Sequence, residues 1–168
     1  MPGQMQTPMS SLLEILRSLP SGRYDTLLLD RDGVINRLRP GDYVKCWSEF
    51  EWLPGVKEAL ALASGMFRLI LVVTNQRGVG RGLMTREALD AVHSAMCSEI
   101  EASGGRIDGI YVCTDVSESS PRRKPARGMF DEILADHPSV EPSRTLMIGD
   151  SPSDMEFASN CGFDGIRL

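Results

Sequence analysis

The stretch Leu27-Leu28-Leu29-Asp30-Arg31-Asp32-Gly33-Val34 decides how the rest of the chain is read. The leucines run into a carboxylate, one residue intervenes, and a second carboxylate precedes a glycine. An apolar run bounded by a turn signal reads as a buried parallel strand. In open α/β sheets, ligands bind beyond the carboxyl ends of the strands. Residues two apart share a face of a strand, but Gly33 signals that the chain is already turning, so Asp30 and Asp32 can converge on one centre. A carboxylate nucleophile beside a carboxylic general acid, with a hard cation screening both, suits such a pair. A strand followed by a polar loop explains an isolated Asp-Xaa-Asp about as well, so the decision falls to the flanking sequence.

Upstream, Tyr24 to Leu29 makes the first strand. Before it, Ser11 and Glu14 fit a capping box, and Leu12, Ile15, Leu16 and Leu19 give a short apolar helix face closed by Pro20-Ser21-Gly22. Residues 1–9 read as disordered. Downstream, Asn36 to Trp52 has no clean period and reads as a loop beside the strand end, suited to substrate contact or to a surface flap. A helix opens at Pro54, carries Val56, Ala59, Leu60 and Ala63 on one face, and closes at Gly65.

Leu69 to Val73 is a second buried strand ending in Thr74-Asn75-Gln76, where a hydroxyl and free backbone amides can donate to phosphate oxygens. Arg77 and Arg81 add positive charge there, although loop arginines are usually solvated. Thr85 caps a helix with Leu89, Val92, Met96 and Ile100 on one face; His93 lies beside that face and reads as an ordinary helix residue. Ile107 to Cys113 is a third strand, and Ala126 to Ala135 a helix. Between them, Arg122-Arg123-Lys124 follows a strand end, where Lys124 can neutralise a phosphate and hold Asp30 ionised. Thr145 to Ile148 is a fourth strand leading into Gly149-Asp150; Asp150 is either a third carboxylate for a cation or the N-cap of the next helix. Phe163 to Leu168 closes the sheet.

With 168 residues the chain reads as one domain with a real core. A net charge of −5 and the lack of a long basic run argue against nucleic acid as partner. No stretch reaches the ~20 apolar residues of a membrane span, and the first residues, lacking a charged lead and an apolar h-region, do not read as a signal peptide. The cysteines Cys46, Cys97, Cys113 and Cys161 form no Cys-x-x-Cys pair and read as free cytosolic thiols.

Strands alternate with helices, so the expected fold is α/β: a doubly wound, mostly parallel sheet. Asp30/Asp32, Thr74/Asn75, Lys124 and Asp150 all follow strands and face one edge of it. This order of motifs resembles the haloacid dehalogenase superfamily from Tyr24 to Leu168. It most resembles the D-glycero-D-manno-heptose 1,7-bisphosphate 7-phosphatase and histidinol-phosphatase branch. The matching stretches are Asp-Arg-Asp-Gly-Val-Ile-Asn (30–36), Asp-Tyr-Val (42–44), Glu-Phe-Glu-Trp-Leu-Pro-Gly-Val (49–56), Val-Val-Thr-Asn-Gln (72–76), Gly80-Arg81-Gly82, Asp108-Gly109-Ile110-Tyr111, Arg123-Lys124-Pro125 and Gly149-Asp150.

The resemblance implies that Asp30 is the nucleophile and Asp32 the acid/base, with Thr74 and Lys124 holding the transferring phosphoryl group. It implies Mg²⁺ bound by Asp30, the Asp32 carbonyl and Asp150. Gly41, Asp42, Tyr43, Asn75, Gln76 and Arg123 would contact the sugar-phosphate leaving group. The implied enzyme is a cytoplasmic, monomeric Mg²⁺-dependent phosphatase of carbohydrate and lipopolysaccharide metabolism, domain 23–168 behind an N-terminal extension 1–22. The alternative substrates are histidinol phosphate, another small phosphomonoester or, less favoured, a nucleic-acid 3′-phosphate. The branch usually has a zinc loop after the third strand, with a Cys-x-His pair and a later Cys-x-Cys; here Cys113 is followed by Thr114 and Asp115, so no zinc is expected. Ser151 stands where the branch usually has lysine, and the loop after Asn36 is slightly longer. The gaps between the motifs are filled by the assigned helices and strands, which leaves no room for a cap domain and makes the site open.

Overall fold

The computed structural model describes residues 11–168; the disorder expected for 1–9 falls outside them. Five strands, β1 (Thr26–Leu29), β2 (Leu69–Asn75), β3 (Gly109–Cys113), β4 (Thr145–Gly149) and β5 (Asp164–Arg167), form one parallel sheet in the order β3-β2-β1-β4-β5. The helices are α1 (Leu12–Ser18), α2 (Val56–Met66), the single turn α3 (Arg77–Gly80), α4 (Arg86–Ala102), α5 (Gly128–Asp136) and α6 (Pro152–Cys161).

Successive strand residues point to opposite faces, and here both faces are covered. Leu27, Leu29, Ile70, Val72, Leu146 and Ile148 pack with α1, α2 and α4 on one side. Leu28, Leu71, Val73 and Met147 pack with α5 and α6 on the other. That is why β1 reads as an unbroken leucine run, each fully buried leucine contributing about 1.5–3 kcal/mol. β2 and β4 flank β1 in register, Leu29 lying beside both Val72 and Ile148. The chain winds outward through β2 and β3, then returns to the other side of β1 for β4 and β5. The switch point therefore lies between the carboxyl ends of β1 and β4, where Asp30 and Asp150 emerge.

Several boundaries differ from the sequence reading. α2 begins after Gly55, its N-cap at φ 75°, and runs through Gly65 to Met66. Tyr24 and Asp25 stay outside β1, and the closing strand loses Phe163 and Leu168. Ile107 and Asp108 do not join β3, because the Asp108 carboxylate accepts from the Ile70 N–H at 2.8 Å. α5 starts at Gly128 rather than Ala126. Ser11 and Glu14 do form the capping box of α1, whose Leu12, Ile15 and Leu16 are buried in the α2 side of the core. Among the described residues, the segment between β1 and β2 holds a flap and α2, and that between β2 and β3 holds α3 and α4; neither holds a further domain. No helix of the described residues is long and apolar enough to cross a membrane.

Candidate active site

A cleft of about 230 Å³ at the switch point is lined by Asp30, Asp32, Leu38, Asn75, Lys124, Asp150, Ser151, Ser153 and Asp154. Asp30 follows β1 directly, its N–H still paired to the Ile148 carbonyl of β4. Its Oδ1 accepts from the Arg31 N–H at 2.8 Å and lies 3.3 Å from Lys124 Nζ. Among the described residues the N–H and ammonium contacts go to Oδ1 rather than Oδ2, and the Asp154 carboxyl stands close enough to share a hydrogen bond with Asp30. The chain then turns sharply, the Gly33 N–H donating to the Asn36 carbonyl at 2.8 Å. Gly33 has φ 84°, and any Cβ there would overlap the Asp150 carboxylate, so both the turn and the close approach require glycine.

The turn swings Asp32 back over the sheet edge, where donors surround it. Oδ1 accepts from Arg31 Nη2 and Asn36 Nδ2, each at 2.9 Å, and Oδ2 from Gln76 Nε2 at 2.8 Å. Burial opposes ionisation, but Arg31 and these amides outweigh it and hold the Asp32 carboxyl below its usual range. Arg31 is itself fully buried, and its remaining donors reach Asn36 Oδ1 at 3.3 Å and His93 Nε2 at 3.0 Å. His93 is therefore not an ordinary helix residue: α4 carries it into contact with the buried guanidinium, and an Nε2 that accepts places the ring proton on Nδ1. Nothing in the sequence signals this pair, since it joins positions distant in the chain.

Lys124 is 3% exposed, and Nζ donates to Asp154 Oδ1 at 2.7 Å and the Val73 carbonyl at 2.8 Å. Burial acts to lower its pKa, but Asp30 and Asp154 overcome it, so the direction is upward and the lysine stays charged. Asn75 clips this loop in place, accepting from the Lys124 N–H at 3.1 Å and donating to the Lys124 carbonyl at 3.2 Å. The basic run thus divides: Arg122 pairs with Glu132 at 2.9 Å, Arg123 is half-buried, and Lys124 enters the cleft.

Asp150 is not the N-cap of α6; Ser151 is, in a capping box with Asp154. Asp154 is the site residue that the sequence reading missed. It is fully buried and ion-paired to Lys124, and the carboxylate oxygens of Asp30, Asp150 and Asp154 lie within 4.8 Å of one another. The signal was present as an acid one helical turn after Asp150, but it reads equally as an ordinary cap partner. Gly149 belongs to the same design, because a Cβ there would overlap Asp154. Burial pushes Asp30 up to about 7, Lys124 opposing and Asp154 reinforcing the shift, while burial and then Asp154 push Asp150 upward. Three carboxylates facing one lysine leave negative charge uncompensated. Their all-oxygen donor set fits a hard divalent cation of the Mg²⁺ class.

The other expected residues divide between the cleft floor and its surroundings. Thr74 and Gln76 are fully buried beneath it, with Gln76 Nε2 donating to Thr74 Oγ1 at 3.0 Å. Gly41, Asp42, Tyr43 and Arg123 do not line it. Asp42 is exposed and bound to Lys45 Nζ at 2.9 Å, which pushes its carboxyl down to about 2. Tyr43 packs its ring on Gly78, and its hydroxyl accepts from Arg81 Nη1 at 3.2 Å.

A parallel sheet with this switch point, an Asp-Xaa-Asp pair directly after β1, a buried lysine and an acidic cluster define a hydrolase of the haloacid dehalogenase type. Residues 121–167 match the model of the hydrolase-like family described as "HAD-hyrolase-like". The chain is 43% identical over 141 residues to a D-glycero-alpha-D-manno-heptose-1,7-bisphosphate 7-phosphatase of Mycobacterium tuberculosis, covering 83% of this chain and 74% of that one. It is 33% identical to a D-glycero-beta-D-manno-heptose-1,7-bisphosphate 7-phosphatase of Rhodopseudomonas palustris, covering 87% and 84%. Among solved structures it is similar to the D,D-heptose 1,7-bisphosphate phosphatase from B. bronchiseptica complexed with magnesium and phosphate. That match has a TM-score of 0.78 and 31% identity, and covers 84% and 78% of the two chains. The chain belongs to the heptose-bisphosphate phosphatase family of these hydrolases and is a phosphoric monoester hydrolase.

Proposed function

We propose that this enzyme removes the 7-phosphate of D-glycero-α-D-manno-heptose 1,7-bisphosphate through an aspartyl-phosphate on Asp30, with Mg²⁺ as cofactor. The observation that carries the mechanism is the seating of Asp30. One of its oxygens is held by the Arg31 N–H and Lys124, which leaves Oδ2 for attack. The α anomer is chosen because relatives named for it reach 43% identity, against 37% for a Neisseria meningitidis relative named for the β anomer.

Asp30 Oδ2 attacks phosphorus, the bond from phosphorus to the sugar oxygen breaks, and Asp32 gives that oxygen a proton. Donors keep Asp32 ionised in the free enzyme. The anionic phosphoryl group arriving beside it raises its proton affinity and readies it as the acid. In the second half Asp32 takes a proton from water, which attacks the aspartyl-phosphate and frees Asp30 and phosphate. Lys124 and the Thr74 hydroxyl hold the phosphoryl oxygens. Asp30, the Asp32 carbonyl, Asp150 and the neighbouring Asp154 would hold Mg²⁺, which when bound supplies charge neutralisation at the phosphoryl group.

The test is phosphate release from both anomers of the bisphosphate by the purified chain with Mg²⁺. The α anomer should turn over faster, and Asp30→Asn should lose all but a trace of activity, since an amide cannot attack. Release from neither anomer rejects the substrate, and a folded Asp30→Asn protein that stays active rejects the mechanism.

A further inference from the structure

Arg77 opens α3 immediately after Gln76. Its Nε and Nη2 are sealed from solvent, yet they make no hydrogen bond among the described residues. The nearest acid, Glu118, lies 3.9 Å from Nη2 on a side chain that is 90% exposed, whereas Arg77's is 15% exposed. Buried guanidinium donors are normally paired, because leaving them bare costs free energy. Arg123 is half-buried, and its guanidinium also makes no hydrogen bond or ion pair among the described residues. Arg122 beside it is forked onto Glu132. The two guanidinium groups belong to one neighbourhood. The Asn75 clip joins the end of β2 to the Lys124 backbone, and Arg77 depresses the pKa of Arg123, second only to burial. Tyr43 borders the same place, packed on Gly78.

Two planar cations, with one loosely held acid between them and solvent, form a receptor for a dianion that accepts two forked contacts. It stands beside the cleft that takes the reacting phosphoryl group. We infer that Arg77 joins Arg123, which the resemblance already puts at the leaving group, in holding the 1-phosphate of the bisphosphorylated sugar, and that Arg77 is a specificity-determining residue for it. This rests on the bisphosphate reading above. The ligand displaces Glu118 and supplies the acceptors that Arg77 lacks. Because the buried Nε and Nη2 of Arg77 make no hydrogen bond among the described residues and face only a long contact to exposed Glu118, its replacement should leave the free protein as stable or more stable; a structural arginine would show the reverse.

The test measures kcat/KM for D-glycero-D-manno-heptose 1,7-bisphosphate and for the 7-monophosphate, with Mg²⁺, in wild type, Arg77→Gln and Arg77→Lys. Thermal melts of each free protein accompany the kinetics. The readout is the bisphosphate-to-monophosphate ratio. It should fall about tenfold or more in Arg77→Gln, chiefly through KM, and less in Arg77→Lys, which keeps the charge but loses the fork. Arg77→Lys gives the same readout if Arg77→Gln does not fold. An unchanged ratio, or a lowered melting temperature with equal losses on both substrates, overturns the subsite while the bisphosphate reading stands. A wild-type enzyme that does not prefer the bisphosphate overturns both.

Discussion

The buried pair of Arg31 and His93 makes a sharp prediction about acid stability. Arg31 is 0% and His93 6% exposed, and His93 Nε2 accepts from Arg31 Nη1 at 3.0 Å. A protonated imidazole would lose that bond and face a guanidinium. Burial, and then the charge of Arg31, push the His93 pKa down to about 4. In the unfolded chain the ring titrates near its ordinary value of about 6.5. Below that pH the unfolded chain binds a proton that the folded one refuses. The stabilisation is therefore complete above about pH 6.5 and drains away as the pH falls toward the folded value. Each pH unit in that window costs about 1.4 kcal/mol, so His93 alone removes about 2 kcal/mol between pH 7 and pH 5. Urea unfolding of wild type and His93→Gln at both pH values isolates this contribution. Glutamine keeps a carbonyl acceptor for Arg31 and does not titrate. Wild type should lose about 2 kcal/mol more than the variant over the interval. Equal losses, or an NMR titration placing His93 near 6.5, would refute the argument.

Asp154→Ala should destabilise the protein by about 2 kcal/mol in urea unfolding, since buried Lys124 loses its 2.7 Å partner but keeps Asp30; a loss below about 0.5 kcal/mol counts against the pairing. Activity should require added Mg²⁺ and survive zinc-selective chelation, and tightly held stoichiometric zinc in the purified protein would contradict this. Arg123→Lys should lower the kcat/KM ratio of the bisphosphate to p-nitrophenyl phosphate by about 10- to 150-fold, and equal losses would remove Arg123 from the leaving-group contacts. Lys124→Ala should disable turnover of both substrates, and retained turnover of either would show that Lys124 does not hold the reacting phosphoryl group.

The elements on which the site stands were legible in the chain itself. A strand buried on both faces must be an apolar run, so Leu27–Leu29, Leu69–Val73 and Leu146–Ile148 announce the sheet, and the polar residues after each announce its carboxyl edge. That local pattern placed Asp30, Asp32, Lys124 and Asp150 at one cleft. Their neighbours were not legible. Asp154 is written as a cap partner, His93 as an ordinary helix residue beside an apolar face, and Arg77 as one more loop arginine; the first two acquire their meaning from partners distant in sequence. Periodicity reports which face of an element is buried, but not which side chain from another element arrives there. The packing of α4 against the β1 turn, and of α6 against the Lys124 loop, decided that Arg31 meets His93 and Lys124 meets Asp154. Tertiary structure also left two buried donors of Arg77 without a hydrogen bond among the described residues, because burial and pairing are properties of a place and not of a residue type.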